Sequence, residues 1–404
     1  MSENLKNLIK NKIKQEKQDK RGPKTLHQLL AVEIAESFGK LKSRKDVAIL
    51  MNLCKRYNNQ YIRRIWGLVK EKDIDNKMAY FLAILKNINQ EEKIEKIKKL
   101  KIIFVGTSEF AVPILRKIKE QIVLPIAVIT QPDKPAGRKK ILASSPIKIA
   151  TKEYKLKILQ PRKIITIKDK IKKLNPDIFI MASYGQIIPQ AILNIPRYGC
   201  LNVHPSLLPK YRGPSPIQTA ILNNDKQTGV CIMLTDNQMD HGAIIKCQKY
   251  ILNNENFSEL QNKLSELGAE LLIKILLDYI DEKIKLRKQN HKKAIYTKIL
   301  TRDNGKINWN KKAKKIEAQT RALYPWPGCW SRMESGKRVK IIQVSILNKK
   351  HKSRKLGELF LLPNKKTAIQ CGQGTLILEK IQVEGKKQTD GKNFLQGNKK
   401  IKLV

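Results

Sequence analysis

The sequence predicts an α/β architecture, a doubly wound parallel sheet preceded by a helical segment and followed by a small β-rich module. Three observations carry that expectation. From Lys101 to Leu234, short apolar runs alternate with segments of helical periodicity, the βαβα order of a parallel sheet. Before Lys98 the apolar residues recur at helical spacing, and beyond Asn304 short β-prone runs are separated by Gly-containing turns.

The elements follow in order. In the first segment Leu26, Leu29, Leu30, Ile34, Phe38, Leu50, Ile62, Ile65, Trp66, Leu68, Val69, Tyr80, Phe81 and Leu85 are core candidates of a small helical bundle, and 89–99 is a charged helical linker. Lys101 to Val105 is a buried strand ended by Gly106, and Glu109 to Lys119 is the helix that returns from it. Ile122 to Thr130 is the next strand, and Ser145-Pro146 opens a helix, with serine as cap and proline in the first turn. Asp177 to Ala182, Cys200 to His204 and Val230 to Leu234 supply further strands, with helices at 167–174 and 215–222. A long helix, Phe257 to Tyr279, precedes a polar, basic linker. Past it come a helix at 311–323 and β runs at 339–346, 356–362, 368–371 and 375–383. The resulting division is a helical extension 1–98, an α/β domain 99–290, a linker 291–303 and a β domain 304–404.

Composition bounds the class. A chain of 404 residues has room for two or three domains with substantial cores. Its six cysteines are scattered, with no C-x-x-C pair and no zinc-like Cys/His spacing, so free thiols in a reducing cytoplasm are expected. No apolar stretch reaches the length of about 20 residues that a membrane span requires, and the N-terminus has no apolar signal core, so neither membrane nor leader is expected. The formal net charge of +47 points to a polyanionic partner, most simply RNA, although Lys, Ile and Asn are abundant throughout the chain.

The most informative string is Asn202-Val203-His204-Pro205-Ser206-Leu207-Leu208-Pro209, with Met239-Asp240-His241-Gly242 further on. Strand alternation puts Asn202 and His204 on one face at a strand's carboxyl end, with Val203 opposite. Asp240 lies in a polar turn beyond the next strand, from which it can fold back to orient and charge-stabilise the imidazole. An amide and an imidazole side by side suit acyl transfer, because both donate to a carbonyl oxygen becoming an oxyanion. Asp240 would fix the histidine tautomer or take a proton, and no metal is needed. Residue by residue, a strand-end histidine and an Asx-turn aspartate remain the alternative. Gly106, Tyr184-Gly185, Asn202, His204 and Asp240 are all strand-end positions, where open α/β sheets bind ligands, so one cleft is expected. Gly106 stands alone, without a dinucleotide fingerprint. Trp326 and Trp330, among Pro325 and Pro327, read as an aromatic staple between domains or as a base-stacking surface, the staple being favoured.

The ordered string resembles the formyltransferase family that uses 10-formyltetrahydrofolate, whose mark is Asn-x-His-x-Ser-Leu-Leu-Pro followed by Asp-x-Gly. Gly106-Thr107-Ser108-Glu109-Phe110-Ala111, the run 131–138, Tyr211-Arg212-Gly213 and 325–330 extend the similarity from about Lys101 to the C-terminus. The resemblance implies a Rossmann-like catalytic domain and an OB-like C-terminal domain, where pattern alone gives only a small β module. It implies Asn202, His204 and Asp240 as catalytic residues, and a folate site formed by Tyr184, Gly185, Gln186, Ser206, Leu207, Leu208 and Pro209. It further implies that Arg138, Lys139 and Lys140 belong to a loop that touches phosphates of tRNA, a loop otherwise readable as a solvated basic run. The implied reaction moves a formyl group from 10-formyltetrahydrofolate to the α-amino group of methionyl initiator tRNA, in a cytoplasmic monomer. Pro205 also fits glycinamide-ribonucleotide formyltransferases, so that acceptor, a sugar nucleotide, and a non-catalytic RNA-binding protein stay open. The first quarter of the chain lies outside the resemblance. There Tyr57, Tyr61, Arg63, Arg64 and Trp66 are either an RNA-binding face or the surface of a packed bundle.

Overall fold

The computed structural model describes residues 25–40, 43–56, 59–136, 141–347, 354–397 and 402–404. Arg138, Lys139, Lys140 and Tyr57 lie outside the described residues. The chain divides into two compact units, Met1–Lys96 and Ile97–Val404.

The first unit contains α1 (Leu26–Ser37), α2 (Arg44–Arg56), α3 (Asn59–Lys70) and all but the last two residues of α4 (Lys77–Lys98). Leu30, Ile34, Leu50, Ile62, Val69 and Phe81 are fully buried in one cluster, and Phe38 meets Phe81 edge-on at 5.6 Å. The expected bundle is therefore present, with three corrections. Leu26, Leu68 and Tyr80 are exposed, because the helical stripe that covers a core this small is narrower than the apolar set in the sequence.

The second unit begins with β1 (Ile102–Gly106), α5 (Ala111–Gln121), β2 (Ala127–Ile129), β3 (Lys134–Ala136), β4 (Ile141–Ala143), α6 (Pro146–Glu153) and β5 (Ile158–Leu159). It continues through α7 (Lys168–Leu174), β6 (Ile178–Ala182), α8 (Gln190–Leu193), β7 (Cys200–His204), α9 (Pro216–Leu222), β8 (Gln227–Leu234), β9 (Ile244–Ile251) and α10 (Phe257–Ile280). The seven-stranded sheet runs β5-β2-β1-β6-β7-β8-β9. Its first five strands are parallel, and β8 and β9 are antiparallel additions at one edge. Successive residues of β1 serve opposite cores, Ile102 and Phe104 one face and Ile103 and Val105 the other, so every residue of that strand is buried. From β1 the chain first winds one way to β2 and later the other way to β6, which makes the carboxyl ends of β1 and β6 the switch point of the sheet.

Ser145 caps α6 as its sequence predicts, accepting the Lys148 amide at 3.1 Å with Pro146 in the first turn. The long helix α10 lies against the back of β7. Its Gly268 makes that approach possible, since a Cβ there would stand 2.6 Å from the Val203 side chain. Val203 is thus pinned beneath the sheet, and Asn202 and His204 on either side of it face the other way.

The remainder comprises α11 (Ala313–Leu323), β10 (Cys329–Arg332), β11 (Arg338–Ile346), β12 (Leu359–Leu361), β13 (Thr367–Gln370), β14 (Thr375–Val383), β15 (Gln388–Thr389) and α12 (Gly391–Gln396). An antiparallel sheet runs β10-β11-β14-β13-β12, with β15 beside β14. Bridges from Leu403 to Met333 and from Lys402 to Glu358 join its two edges through the C-terminal residues, so the sheet curls toward a barrel. Its core is continuous with one face of the parallel sheet.

Two expectations from the sequence fail. Cys231 and Cys247 are bonded as a disulfide, while Cys54, Cys200, Cys329 and Cys371 are free. They are direct partners across β8 and β9, a proximity that a separation of 16 residues does not disclose. The Trp326 staple also fails, because the indole is 56% exposed. Trp330 is half-buried, donating to the Arg302 carbonyl at 3.1 Å under the guanidinium of Arg338.

Candidate active site

A cavity of about 710 Å³ opens at the carboxyl ends of β1, β6 and β7. Asn202, His204 and Asp240 line one part of it and Ser108, Tyr184 and Gly185 another. Asn202 and His204 are nearly enclosed, at 6% and 4% exposure.

The three polar side chains meet. Asn202 Nδ2 donates to Asp240 Oδ1 at 3.2 Å, and His204 Nδ1 lies 3.4 Å from the same oxygen. His204 Nε2 donates to the carbonyl of Tyr211 at 2.9 Å, which fixes the tautomer. The nitrogen that faces Asp240 is then the one free to change its protonation. With both nitrogens protonated, the ring presents an Nδ1–H beside the Asp240 carboxylate. Asp240 Oδ2 accepts the amide of Gly213 at 2.7 Å. Gly213 has φ +103, a conformation closed to other residues, so its N–H reaches the carboxylate only because glycine stands there. Asp240 itself is left-handed at φ +49. Aspartate tolerates that region better than most residues.

The opposite wall is made by the chain after β6. Ser183 and Gly185 both have positive φ, and the Tyr184 carbonyl accepts from Thr107 Oγ1 at 3.0 Å and Gln131 Nε2 at 3.2 Å. These bonds tie the ends of β1, β2 and β6 together. The Tyr184 ring packs into the core, and burial pushes its hydroxyl up to about 12. Gln186 borders the cavity, but its amide is engaged with Ile164 N and Arg162 O.

Of the residues expected at a ligand, Asn202, His204, Asp240, Tyr184, Gly185 and Gln186 come together around one cavity. Ser206, Leu207, Leu208 and Pro209 do not line it; Pro205 does. Ser206 is fully buried and donates to the Lys210 carbonyl, and Leu208 packs with Cys231, Met233 and Ile244 under the strand end. The turn thus shapes the site from below. Arg138, Lys139 and Lys140 belong between β3 and β4, a hairpin whose exposed Ile141 and Leu142 face solvent. At its base Asp133 binds Lys148 at 2.6 Å and Gln160 at 3.0 Å, and these hydrogen bonds hold its carboxyl below the usual range.

Sequence reasoning missed the segment after α10. Residues 295–297 pair with Arg212, whose amide donates to the Ile295 carbonyl at 2.9 Å, and Tyr296, Thr297 and Ile299 line the cavity. Arg212 is 1% exposed. Its place in Tyr211-Arg212-Gly213 was the one available signal, but nothing in the spacing connects it to residues some 80 positions away.

The family model described as formyl transferase matches residues 98–276, and the model for the formyl transferase C-terminal domain matches 299–399. A methionyl-tRNA formyltransferase of Geobacter sulfurreducens is 35% identical over 301 residues, 74% of this chain and 94% of that protein. The chain belongs to the methionyl-tRNA formyltransferase family. A second member, from Clostridium tetani, is 39% identical over 306 residues, 74% of this chain and 97% of its own. Among solved structures, an N-formyltransferase from Helicobacter canadensis superposes with a TM-score of 0.53 at 22% identity, over 69% of this chain and 98% of that one, a likeness of fold. The family match begins at residue 98, close to the Lys101 from which the resemblance runs, and leaves α1 to α3 and all but the last residue of α4 outside it. Among the described residues no helix is long and apolar enough to cross a membrane.

Proposed function

We propose that the protein transfers a formyl group from 10-formyltetrahydrofolate to the α-amino group of methionyl initiator tRNA. The observation that carries this reading is the convergence of Asn202 and His204, on one strand, with Asp240, from a turn 36 residues beyond His204, at one end of the cavity. Two sequence relatives, matched over 94% and 97% of their own lengths, are methionyl-tRNA formyltransferases, which supports tRNA as the acceptor.

In the mechanism, the amine attacks the formyl carbon and a C–N bond forms. The carbonyl oxygen becomes an oxyanion that accepts from the remaining Nδ2–H of Asn202 and from Nδ1–H of His204. Asp240 stabilises the protonated imidazole and takes the amine proton, which passes to N10 as the old C–N bond breaks and its electron pair returns to that nitrogen. Formylmethionyl-tRNA and tetrahydrofolate leave. Because His204 Nε2 is occupied by the Tyr211 carbonyl, the donating atom in this mechanism would be Nδ1.

A cavity of this size suits a flat, apolar ligand with a polar edge. Main-chain groups of Tyr184, Gly185 and Gln186 would meet that edge, with Ser206, Leu207, Leu208 and Pro209 supporting the floor. Arg138, Lys139 and Lys140 would contact phosphates of the acceptor, contributing affinity and position without reading bases. The net charge of +47 is in keeping with such a partner.

The test holds the donor fixed and offers charged initiator tRNA, glycinamide ribonucleotide and an amino-sugar nucleotide in parallel. Formylation of the tRNA alone is expected. Preference for either small acceptor, or tRNA binding without transfer to any, overturns the reading.

A further inference from the structure

We propose that Gln289, held by the buried guanidinium of Arg212, is a positioning residue for Asp240, so that the segment between the two family-matched modules completes the catalytic group. The proposal rests on the role given to Asp240 above. Gln289 falls between the residues matched by the two family models, 98–276 and 299–399.

The geometry is closed on itself. Gln289 Nε2 donates to the Asp240 carbonyl at 3.0 Å and to the Gly242 carbonyl at 2.8 Å. Gln289 Oε1 accepts from Arg212 Nε at 3.2 Å and Arg212 Nη2 at 2.8 Å. Both amide hydrogens and both lone pairs of the oxygen are therefore used, in a side chain only 6% exposed. Arg212 also reaches Tyr296 Oη at 3.0 Å and His291 Nδ1 at 2.9 Å. The next residue, Gly213, donates its amide to the Asp240 carboxylate.

Asp240 is thus gripped twice from one assembly, at its main chain by Gln289 and at its carboxylate by Gly213. That grip selects the left-handed conformation of Asp240, which aspartate tolerates but which these contacts hold in place. Released from Gln289, the 240–242 turn can relax, and Oδ1 moves away from Asn202 and His204. Only a side-chain amide of this length supplies two donors to adjacent carbonyls and an acceptor to a guanidinium. A carboxylate keeps the contact with Arg212 and loses both donors.

The experiment compares the full-length wild type with Gln289→Glu and Gln289→Ala. The kinetic measurement is kcat and KM for both substrates, normalised to folded protein by cooperative melting. The expected result is a fall in kcat of about tenfold or more, the usual consequence of a slight misplacement, with both KM values within about twofold. A purely structural role would lower the melting temperature and leave that split untouched. The second measurement is the 15N spectrum of the histidine rings without substrates, with the His204 signal assigned by its loss in His204→Gln. The His204 resonances are expected to shift in both variants as Asp240 moves. Wild-type kcat in either folded variant, or unshifted His204 resonances, overturns the proposal. Failure of both variants to fold also overturns it, because a positioning role leaves the fold standing. A wild type that formylates no acceptor instead counts against the functional reading, and the ring spectrum still judges Gln289.

Discussion

The two halves of the candidate active site are built differently. Asn202 and His204 sit on β7, clamped between β6 and β8 and pinned from behind by Val203 against α10. Asp240 sits in a turn whose conformation depends on Gly213 and Gln289, reached from elsewhere in the chain. A strand fixes side-chain direction through hydrogen bonds on both sides, whereas a turn needs tertiary partners to fix it. The Asn202 and His204 half is therefore set by the sheet, and the Asp240 half by contacts that reach a turn.

The comparison can be broken by mutation. The largest effect is expected from Asn202→Ala, which removes one oxyanion donor from a rigid strand and should lower kcat about a hundredfold or more at an unchanged melting temperature. Turnover near wild type in the folded variant would remove Asn202 from the mechanism. Gly213→Ala attacks the turn half. Its added Cβ would meet Thr297 Oγ1 at 3.0 Å in a backbone conformation that alanine avoids, so a loss of about tenfold in kcat is expected, together with lower stability by about 1–3 kcal/mol. Denaturant titration and steady-state kinetics check both parts. If kcat survives, the Gly213 amide is not what holds the carboxylate.

Gly268→Ala tests the rigid half from behind. With its Cβ 2.6 Å from Val203, overpacking should cost about 1–3 kcal/mol of stability, read from the denaturation midpoint, with kcat reduced less than in Gly213→Ala. Glu255 offers a pH test at the base of α10. Burial alone would raise this carboxyl, but hydrogen bonds from Tyr250, Lys263 and backbone amides outweigh it and hold it at about 2. A depressed folded value means that its stabilisation is present above the unfolded value near 4.5 and is lost as pH falls toward about 2. Glu255→Gln should therefore destabilise by on the order of 1–3 kcal/mol at pH 7, and the gap to wild type should shrink at pH 3. An equal gap at both pH values would assign the effect to packing. The smallest effect belongs to Trp326→Ala, expected within about 0.5 kcal/mol of wild type because the indole is mostly exposed. A large loss there would reinstate the staple.

Much of the fold was legible because periodicity is a local property. The strands at 177–182, 200–204 and 375–383 stand close to where alternation or apolar runs place them, and Ser145-Pro146 caps its helix. The antiparallel turn of β8, the whole of β9 and the pairing of Cys231 with Cys247 were not legible, because strand direction and register are set by which chain segments meet. Leu26 and Leu68 show the same limit in the helical unit, where apolar spacing marks a stripe and packing decides its width.

At the site, the sequence alone determined the residue types and their strand-end placement: Asn202 and His204 share a face because side chains alternate along any strand. It also placed Asp240 in a turn, without saying where the turn points. Only the tertiary structure decided that the Tyr211 carbonyl takes His204 Nε2, that Gly213 and Gln289 hold Asp240, and that Tyr296 and Ile299 enter the cavity wall. Apart from His204 to Tyr211, seven residues apart, those contacts span chain separations over which no periodicity survives, and the buried Arg212 guanidinium draws Gln289 in because it must find hydrogen-bond partners inside the protein.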